Sequence, residues 1–336
     1  MSVNWDYIDE LKKKADFNAI CVAYGLPEIT DITTTEFGPT RGVTVQPKWD
    51  IEEKMVISTA VTGAFYSKRQ NPNQPITPDE IRQAADEAAA AGSPCVHVHS
   101  RDKSGYNALD RGILHQILDP LKKTYPKTVF DACLIAYKPS DWQELVRLLD
   151  ERIVETTPIN PTAVYNGDCL FAKPPHVIIE KTKLCQERGI KPTIAIYTDG
   201  DIDNAERYLI KTGLLEKPYC WVLLPGLPGG SPMHTPRSMA LGLFRLLDRI
   251  QEIDEDSRIM VCASGRASSY LATLAILFGL HIRVGMEDTI YMWPHSDDRI
   301  RSNAQCFRHF ATIAESLGRK VATPNDYRNM LGLPAR

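Results

Sequence analysis

Thr77-Pro78-Asp79-Glu80, then Ala91-Gly92, then Cys95-Val96-His97-Val98-His99 spell out a helix start, a helix stop and a short strand. Thr77 offers a capping hydroxyl, Pro78 takes the first helical position, and Glu80, three residues after the cap, completes a capping box. Gly92 closes the helix. In the strand that follows, side chains alternate between faces, so His97 and His99 project from one side and Val96 and Val98 from the other.

Working outward, short apolar runs alternate with amphipathic stretches from residue 55 onward. Strands are predicted at Met55–Val61, Cys95–His99, Thr128–Leu134, Ile153–Thr157, Thr193–Tyr197, Tyr219–Leu224, Arg258–Ala263 and His281–Gly285. Helices are predicted at Pro78–Ala91, Leu109–Tyr125, Ser140–Asp150, His176–Arg188, Ile202–Thr212, Pro236–Ile253, Ser268–Phe278 and Asp298–Leu317. Eight strand-then-helix units place the chain in the α/β class and predict a closed (β/α)8 TIM barrel rather than an open doubly wound sheet. Residues 1–54 read as an N-terminal extension, with one amphipathic helix from Trp5 to Ala15 and a turn-rich stretch after it; residues 55–336 read as the catalytic barrel domain.

Composition narrows the function. The formal net charge is -3, and no basic run is longer than Lys12-Lys13-Lys14. Nucleic acid and anionic membrane are therefore excluded as main partners. No apolar run is long enough to span a bilayer, and the polar start is unlike a secretory signal, so the expected location is cytoplasmic. The eight cysteines contain no Cys-x-x-Cys pair, which suits neither a zinc finger nor a disulfide scaffold and fits a reducing compartment. Gly-x-Gly-x-x-Gly, a Walker loop and a Gly-x-Ser-x-Gly elbow are all missing from the sequence.

Barrel enzymes build their sites at the carboxyl-terminal ends of the strands. There His97 and His99 converge, and neutral imidazole is the commonest zinc ligand. Arg283-Val284-Gly285-Met286-Glu287-Asp288 brings paired carboxylates to the end of strand eight, two strands away around a closed barrel, so Glu287 can complete a site of His97, His99 and Glu287. Thr62-Gly63, Cys133, Thr156-Thr157, Gly229-Gly230-Ser231 and Gly265-Arg266 supply further polar strand ends. His115, His176, His281, His295 and His309 lack such spacing and read as core or surface hydrogen-bonding residues.

Several motifs occur together in a fixed order: Thr62-Gly63-Ala64, Asn71-Pro72, Pro75 to Ile81, Ala91-Gly92, His97 to Asp102, Gly226 to Gly230, Gly265-Arg266, Arg283 to Asp288, Ser302-Asn303-Ala304 and Ala322-Thr323-Pro324. In this the chain resembles the zinc-dependent β-keto acid cleavage enzymes, related to 3-keto-5-aminohexanoate cleavage enzyme. The resemblance implies an acyltransferase with one zinc on His97, His99 and Glu287. It implies that a β-keto acid and acetyl-CoA, as cosubstrate, exchange acyl groups to give acetoacetate and a new acyl-CoA. By that likeness Asp288 is the general base, Arg283 orients it or the substrate, and Cys133 with Thr157 lines the substrate's carboxylate end. Thr62, Gly63, Phe65, Gly229, Gly230 and Ser231 fall at substrate-binding positions. Arg266 pairs either with a CoA phosphate or with a structural partner.

Members that handle an amino-bearing substrate carry an acidic residue directly after Thr-Gly-Ala, where this chain has Phe65. A primary ammonium lacks its counter-charge there, which leaves an apolar acyl tail or a dehydrocarnitine-like quaternary ammonium. Two rivals stand beside this reading: a CoA-independent zinc hydrolase or retro-aldol lyase, and a metal-bearing sensor of small acids. A homo-oligomer, dimer or tetramer, is expected from the apolar surface of the extension and outer helices. Arg101-Asp102 is read as a local ion pair after strand two.

Overall fold

The computed structural model of the chain describes residues 3–13, 49–226, 235–262 and 264–336. These fall into two compact units, residues 1–51 and 52–336. In the first unit a helix spans Trp5–Lys12, started by Asn4, whose side chain accepts from the Tyr7 backbone N–H at 3.1 Å. Ala15, the expected end of that helix, lies outside the described residues.

The second unit is a closed parallel barrel. Its strands are β1 (Ile57–Ala60), β2 (Cys95–Val98), β3 (Val129–Ala132), β4 (Thr156–Ile159), β5 (Lys191–Ile196), β6 (Cys220–Leu223), β7 (Arg258–Cys262) and β8 (His281–Val284), neighbours in chain order with β8 closing on β1 through the Ile282–Ile57 register. An α-helix follows each strand, so both faces of the sheet are covered and the strands read as near-continuous apolar runs. The first barrel helix, Pro78–Ala90, shows how the sequence dictates this. Glu80 N–H donates to the Thr77 hydroxyl at 3.3 Å while Thr77 N–H donates to the Glu80 carboxylate at 3.0 Å. Ile81, Ala85, Ala88 and Ala89 then recur at helical spacing and are the buried face.

Three expected starts move by three residues or more, each for a local reason, and one element is new. β4 runs over Thr156–Ile159 rather than Ile153–Thr157, because Ile153 and Val154 are buried in the helix-facing core before the hydrogen-bonded ladder begins. After β4 the chain makes an unforeseen hairpin, Ala163–Asn166 against Cys169–Ala172, turned at Gly167 with φ +59°. The helix after β5 starts at Asp199, not Ile202, since Asp201 accepts from Tyr197 and Thr198 N–H at 2.7 and 3.1 Å; it continues as a π-helical turn, Glu206–Ile210. The helix after β8 starts at Asn303, not Asp298, where Ser302 caps it by accepting from Gln305 N–H.

The amino-terminal end of the barrel is closed by chain ends. Lys54–Met55 pairs with Lys320–Val321, and a final helix, Pro324–Leu331, carries Arg328 beneath the sheet. Arg328 is fully buried and forms a two-pronged ion pair with Glu155 at 2.5 and 2.6 Å. No helix of the described residues is long and apolar enough to cross a membrane. The described cysteines are all free thiols, and Cys21 lies outside the described residues.

Candidate active site

His97 is on β2 and His99 follows its last residue, so both rings leave the same face, with centroids 5.2 Å apart. The β8–β1–β2 adjacency brings Glu287 up to them. His99 Nε2 lies 3.2 Å from Glu287 Oε1, and His97 Nε2 lies 3.4 Å from Glu287 Oε2. The other nitrogens are held from behind: His97 Nδ1 is 2.7 Å from Asp131 Oδ2, and His99 Nδ1 is 2.7 Å from Asn107 Oδ1. Asp131 reaches His97 because the two are register partners across β2 and β3.

Three buried atoms in this cluster, His97 Nε2, Glu287 Oε2 and Asp131 Oδ1, have no hydrogen-bond partner, and the first two face each other. An unsatisfied buried polar pair costs stability unless something fills the gap between them. A divalent cation fits: two imidazoles and a carboxylate form a common catalytic ligand set, and the Asp131 and Asn107 contacts are the outer-shell bonds that fix ligating histidines. Cys133 Sγ is a further donor, since it and the nitrogen donors of His97 and His99 all lie within 4.8 Å of one another.

The electrostatics favour positive charge at this point. Burial pushes the imidazoles down, yet Glu287, with Asp131 for His97 and Cys133 for His99, reverses the direction and raises both. Burial pushes Glu287 up, but His97, His99 and Arg283 overcome it and hold the carboxylate ionised. Protons or a metal ion can supply that charge, and metal binding displaces the protons.

Arg283, on β8, donates from Nη2 to Glu287 Oε1 at 3.1 Å and to Asp288 Oδ1 at 2.5 Å, and from Nε to Asp288 Oδ2 at 3.0 Å. Asp288 is fully buried behind that guanidinium, and burial with the Glu287 charge raises its pKa. A cavity opens over the cluster. His97, His99, Asp131, Arg283 and Glu287 form its charged side; Phe65, Ile135, Tyr137, Phe171, Tyr197, Val222 and Leu224 are among the large apolar and aromatic side chains of the rest.

The sequence-predicted residues divide as follows. His97, His99, Glu287, Arg283, Cys133 and Phe65 line the cavity. Gly63 packs against Glu287, where a Cβ would overlap the Glu287 side chain. Thr62 lies outside the lining; its hydroxyl donates to Pro75 O at 2.8 Å and accepts from Arg101 Nε at 3.1 Å. Thr157 also lies outside it and donates to Ala132 O at 2.8 Å. Arg101 does not pair with Asp102 but reaches back to Thr62, while Asp102 accepts from Ser104 and Tyr106 N–H. Arg266 is exposed, ion-paired with Asp297 at 2.6 Å and stacked 3.4 Å over the Tyr291 ring. Gly229, Gly230 and Ser231 lie outside the described residues.

Sequence reasoning missed Asp131, Asn107 and the ring wall of Tyr137, Phe171 and Tyr197. Asp131 was findable, since an acidic residue inside the buried strand Val129–Ala132, two before Cys133 and on its face, needs a partner.

The sequence profile of the family described as beta-keto acid cleavage enzyme matches residues 54–333. The chain belongs to that family. The β-keto acid cleavage enzyme match spans the whole barrel. A 3-keto-5-aminohexanoate cleavage enzyme from Fusobacterium nucleatum is 30% identical over 84% of this chain and 98% of its own length. A 3-dehydrocarnitine:acetyl-CoA trimethylamine transferase from Rhizobium meliloti is 25% identical over 85% of this chain and 99% of its own. Among solved structures, apo ObcA superposes with a TM-score of 0.65 at 20% identity, covering 78% of this chain and 66% of that one, which shows the shared barrel fold. This member of the β-keto acid cleavage enzymes is thus an enzyme whose strand ends carry the His97, His99 and Glu287 cluster.

Proposed function

We propose that the enzyme is zinc-dependent and exchanges acyl groups between a β-keto acid and acetyl-CoA, releasing acetoacetate and a new acyl-CoA. The observation that carries the reading is the unsatisfied pair, His97 Nε2 and Glu287 Oε2, facing each other at 3.4 Å on the wall of a largely apolar cavity. Acetyl-CoA as cosubstrate is supported by its place in the name of the Rhizobium meliloti relative.

His97, His99 and Glu287 hold the zinc, which when bound polarises a carbonyl and stabilises negative charge on oxygen. Asp131 and Asn107 keep the two imidazoles in the tautomer and orientation that ligation needs. Arg283 faces the cavity with its guanidinium and pairs with the substrate carboxylate. Asp288 is the general base in this reading; both its oxygens are held by Arg283 and it lies outside the cavity lining, so the guanidinium stands between it and the substrate. Apolar walls exclude water, which favours transfer to the thioester over hydrolysis.

The test is a panel of β-keto acids incubated with and without acetyl-CoA, with new thioesters read by mass. Turnover strictly dependent on acetyl-CoA, about one zinc per chain, and a 10²–10⁴-fold lower kcat in Asp288→Asn are expected. Keto-acid consumption without acetyl-CoA would instead support the hydrolase or lyase rival.

A further inference from the structure

The hairpin after β4 ends at Lys173, whose N–H donates to Thr162 O at 2.9 Å and so anchors the residue at the hairpin's foot. β4 is four strands from β8 in the eight-strand barrel, so this hairpin rises on the side opposite Arg283 and Glu287. Lys173 Nζ lies 5.5 Å from the centroid of the Tyr137 ring and 5.6 Å from that of Phe171. Both rings line the cavity. Lys173 itself lines a small adjoining pocket that shares Ile135, Pro158 and Asn160 with it.

The ammonium is half-buried, and its hydrogen bond is a long one, to Ala136 O at 3.5 Å. Among the described residues no carboxylate lies within ion-pair distance of it. A cation removed from water and lacking a counter-ion is costly unless a ligand supplies the charge. Lys173 already stands beside two of the rings that would receive a quaternary ammonium, and a second cation there meets like-charge repulsion. Phe65 is left as a single ring beside the opening, 39% exposed.

We propose that the acyl tail accepted by this enzyme ends in a carboxylate, making the substrate a β-keto diacid, and that Lys173 is the residue that selects it. This rests on the acyl-exchange reading above and resolves the tail that Phe65 leaves open. One carboxylate and the ketone of such a substrate face the His97, His99 and Glu287 side, while the second sits between Tyr137 and Phe171 within reach of the flexible lysine stem. Burial lowers the Lys173 pKa to about 8, with Lys181 adding to the effect, so the ammonium persists at neutral pH.

The experiment compares three β-keto acids of matched length, ending in carboxylate, methyl and trimethylammonium, with the full-length zinc-loaded enzyme and with Lys173→Met and Lys173→Arg. The wild type is expected to prefer the diacid in kcat/KM. Lys173→Met is expected to lower the diacid-to-methyl ratio by roughly 10–100-fold, the scale of a hydrogen bond to a charged group, and Lys173→Arg to restore most of it. A wild-type preference for the methyl or trimethylammonium tail, or a ratio unmoved in Lys173→Met, overturns the assignment. If no tail is exchanged with acetyl-CoA, the acyl-exchange reading falls, and calorimetry without acetyl-CoA then decides the role of Lys173. Diacid binding that weakens in Lys173→Met upholds it; equal binding by both proteins, or none by the wild type, overturns it.

Discussion

His97 Nδ1 lies 2.7 Å from Asp131 Oδ2, and the opposite ring nitrogen of the same histidine is buried with no hydrogen-bond partner. The carboxylate therefore fixes which nitrogen is free to ligate. Asp131→Asn keeps the size and loses the charge, and it is expected to weaken zinc binding by roughly 10–100-fold while leaving the fold intact. Chelator competition followed by metal analysis reads the effect, and unchanged affinity would mean that the pair is only a packing contact.

Gly63 sits where any side chain would press on Glu287: a Cβ there falls 3.1 Å from Glu287 Cδ and 3.2 Å from its Cβ. Glu287 cannot yield freely, because Arg283 and His99 hold its carboxylate. Gly63→Ala is expected to cost about 1–3 kcal/mol by overpacking and to lower metal content and kcat/KM together. Normal metal content in a folded Gly63→Ala protein would show that the loop after β1 moves aside.

His281 is buried on β8, and its Nδ1 accepts from Val56 N–H at 3.3 Å, as expected for a core histidine. Burial, reinforced by Arg319 and Arg258, lowers its pKa to about 3, and half-exposed Glu52 at 3.6 Å does not reverse the shift. The unfolded chain protonates this residue near pH 6.5 while the folded one does not. Its contribution is therefore complete above that pH and lost as pH falls toward 3, at about 1.4 kcal/mol per pH unit. Urea unfolding at pH 7.5 and 5.0 is expected to show a stability loss about 2 kcal/mol smaller in His281→Asn than in the wild type. Equal losses would place the acid sensitivity elsewhere.

Arg328 and Glu155 form their ion pair outside the cavity lining, and Arg328 also donates to Lys127 O. Removing Arg328 leaves Glu155 only Arg336, 2.9 Å away, and loses the buried guanidinium's hydrogen bonds to Lys127 O, so Arg328→Ala is expected to lose about 2–4 kcal/mol. Melting temperature should fall, while KM measured well below the new midpoint stays near wild type. A changed KM with little loss of stability would contradict the structural role.

Much of the barrel is legible from local patterns. The Thr77 capping box, the Gly92 stop and the alternation around His97 and His99 are short-range rules, and each appears in the structure as read. Ile153 and Val154 misled because hydrophobicity reports burial, which here precedes the hydrogen-bonded ladder of β4. The hairpin carrying Phe171 was missed because its exposed strands show no apolar alternation.

Amino-acid order alone was enough to specify eight βα units and to aim two imidazoles from one strand face, since both follow from periodicities spanning a few residues. Which groups they meet is a matter of closure and register. Glu287 arrives from 188 residues beyond His99 because β8 hydrogen-bonds to β1, and Asp131 stands behind His97 because β3 pairs with β2 in one register and no other. A one-residue slip would turn Asp131 to the opposite face, and no local pattern records that choice.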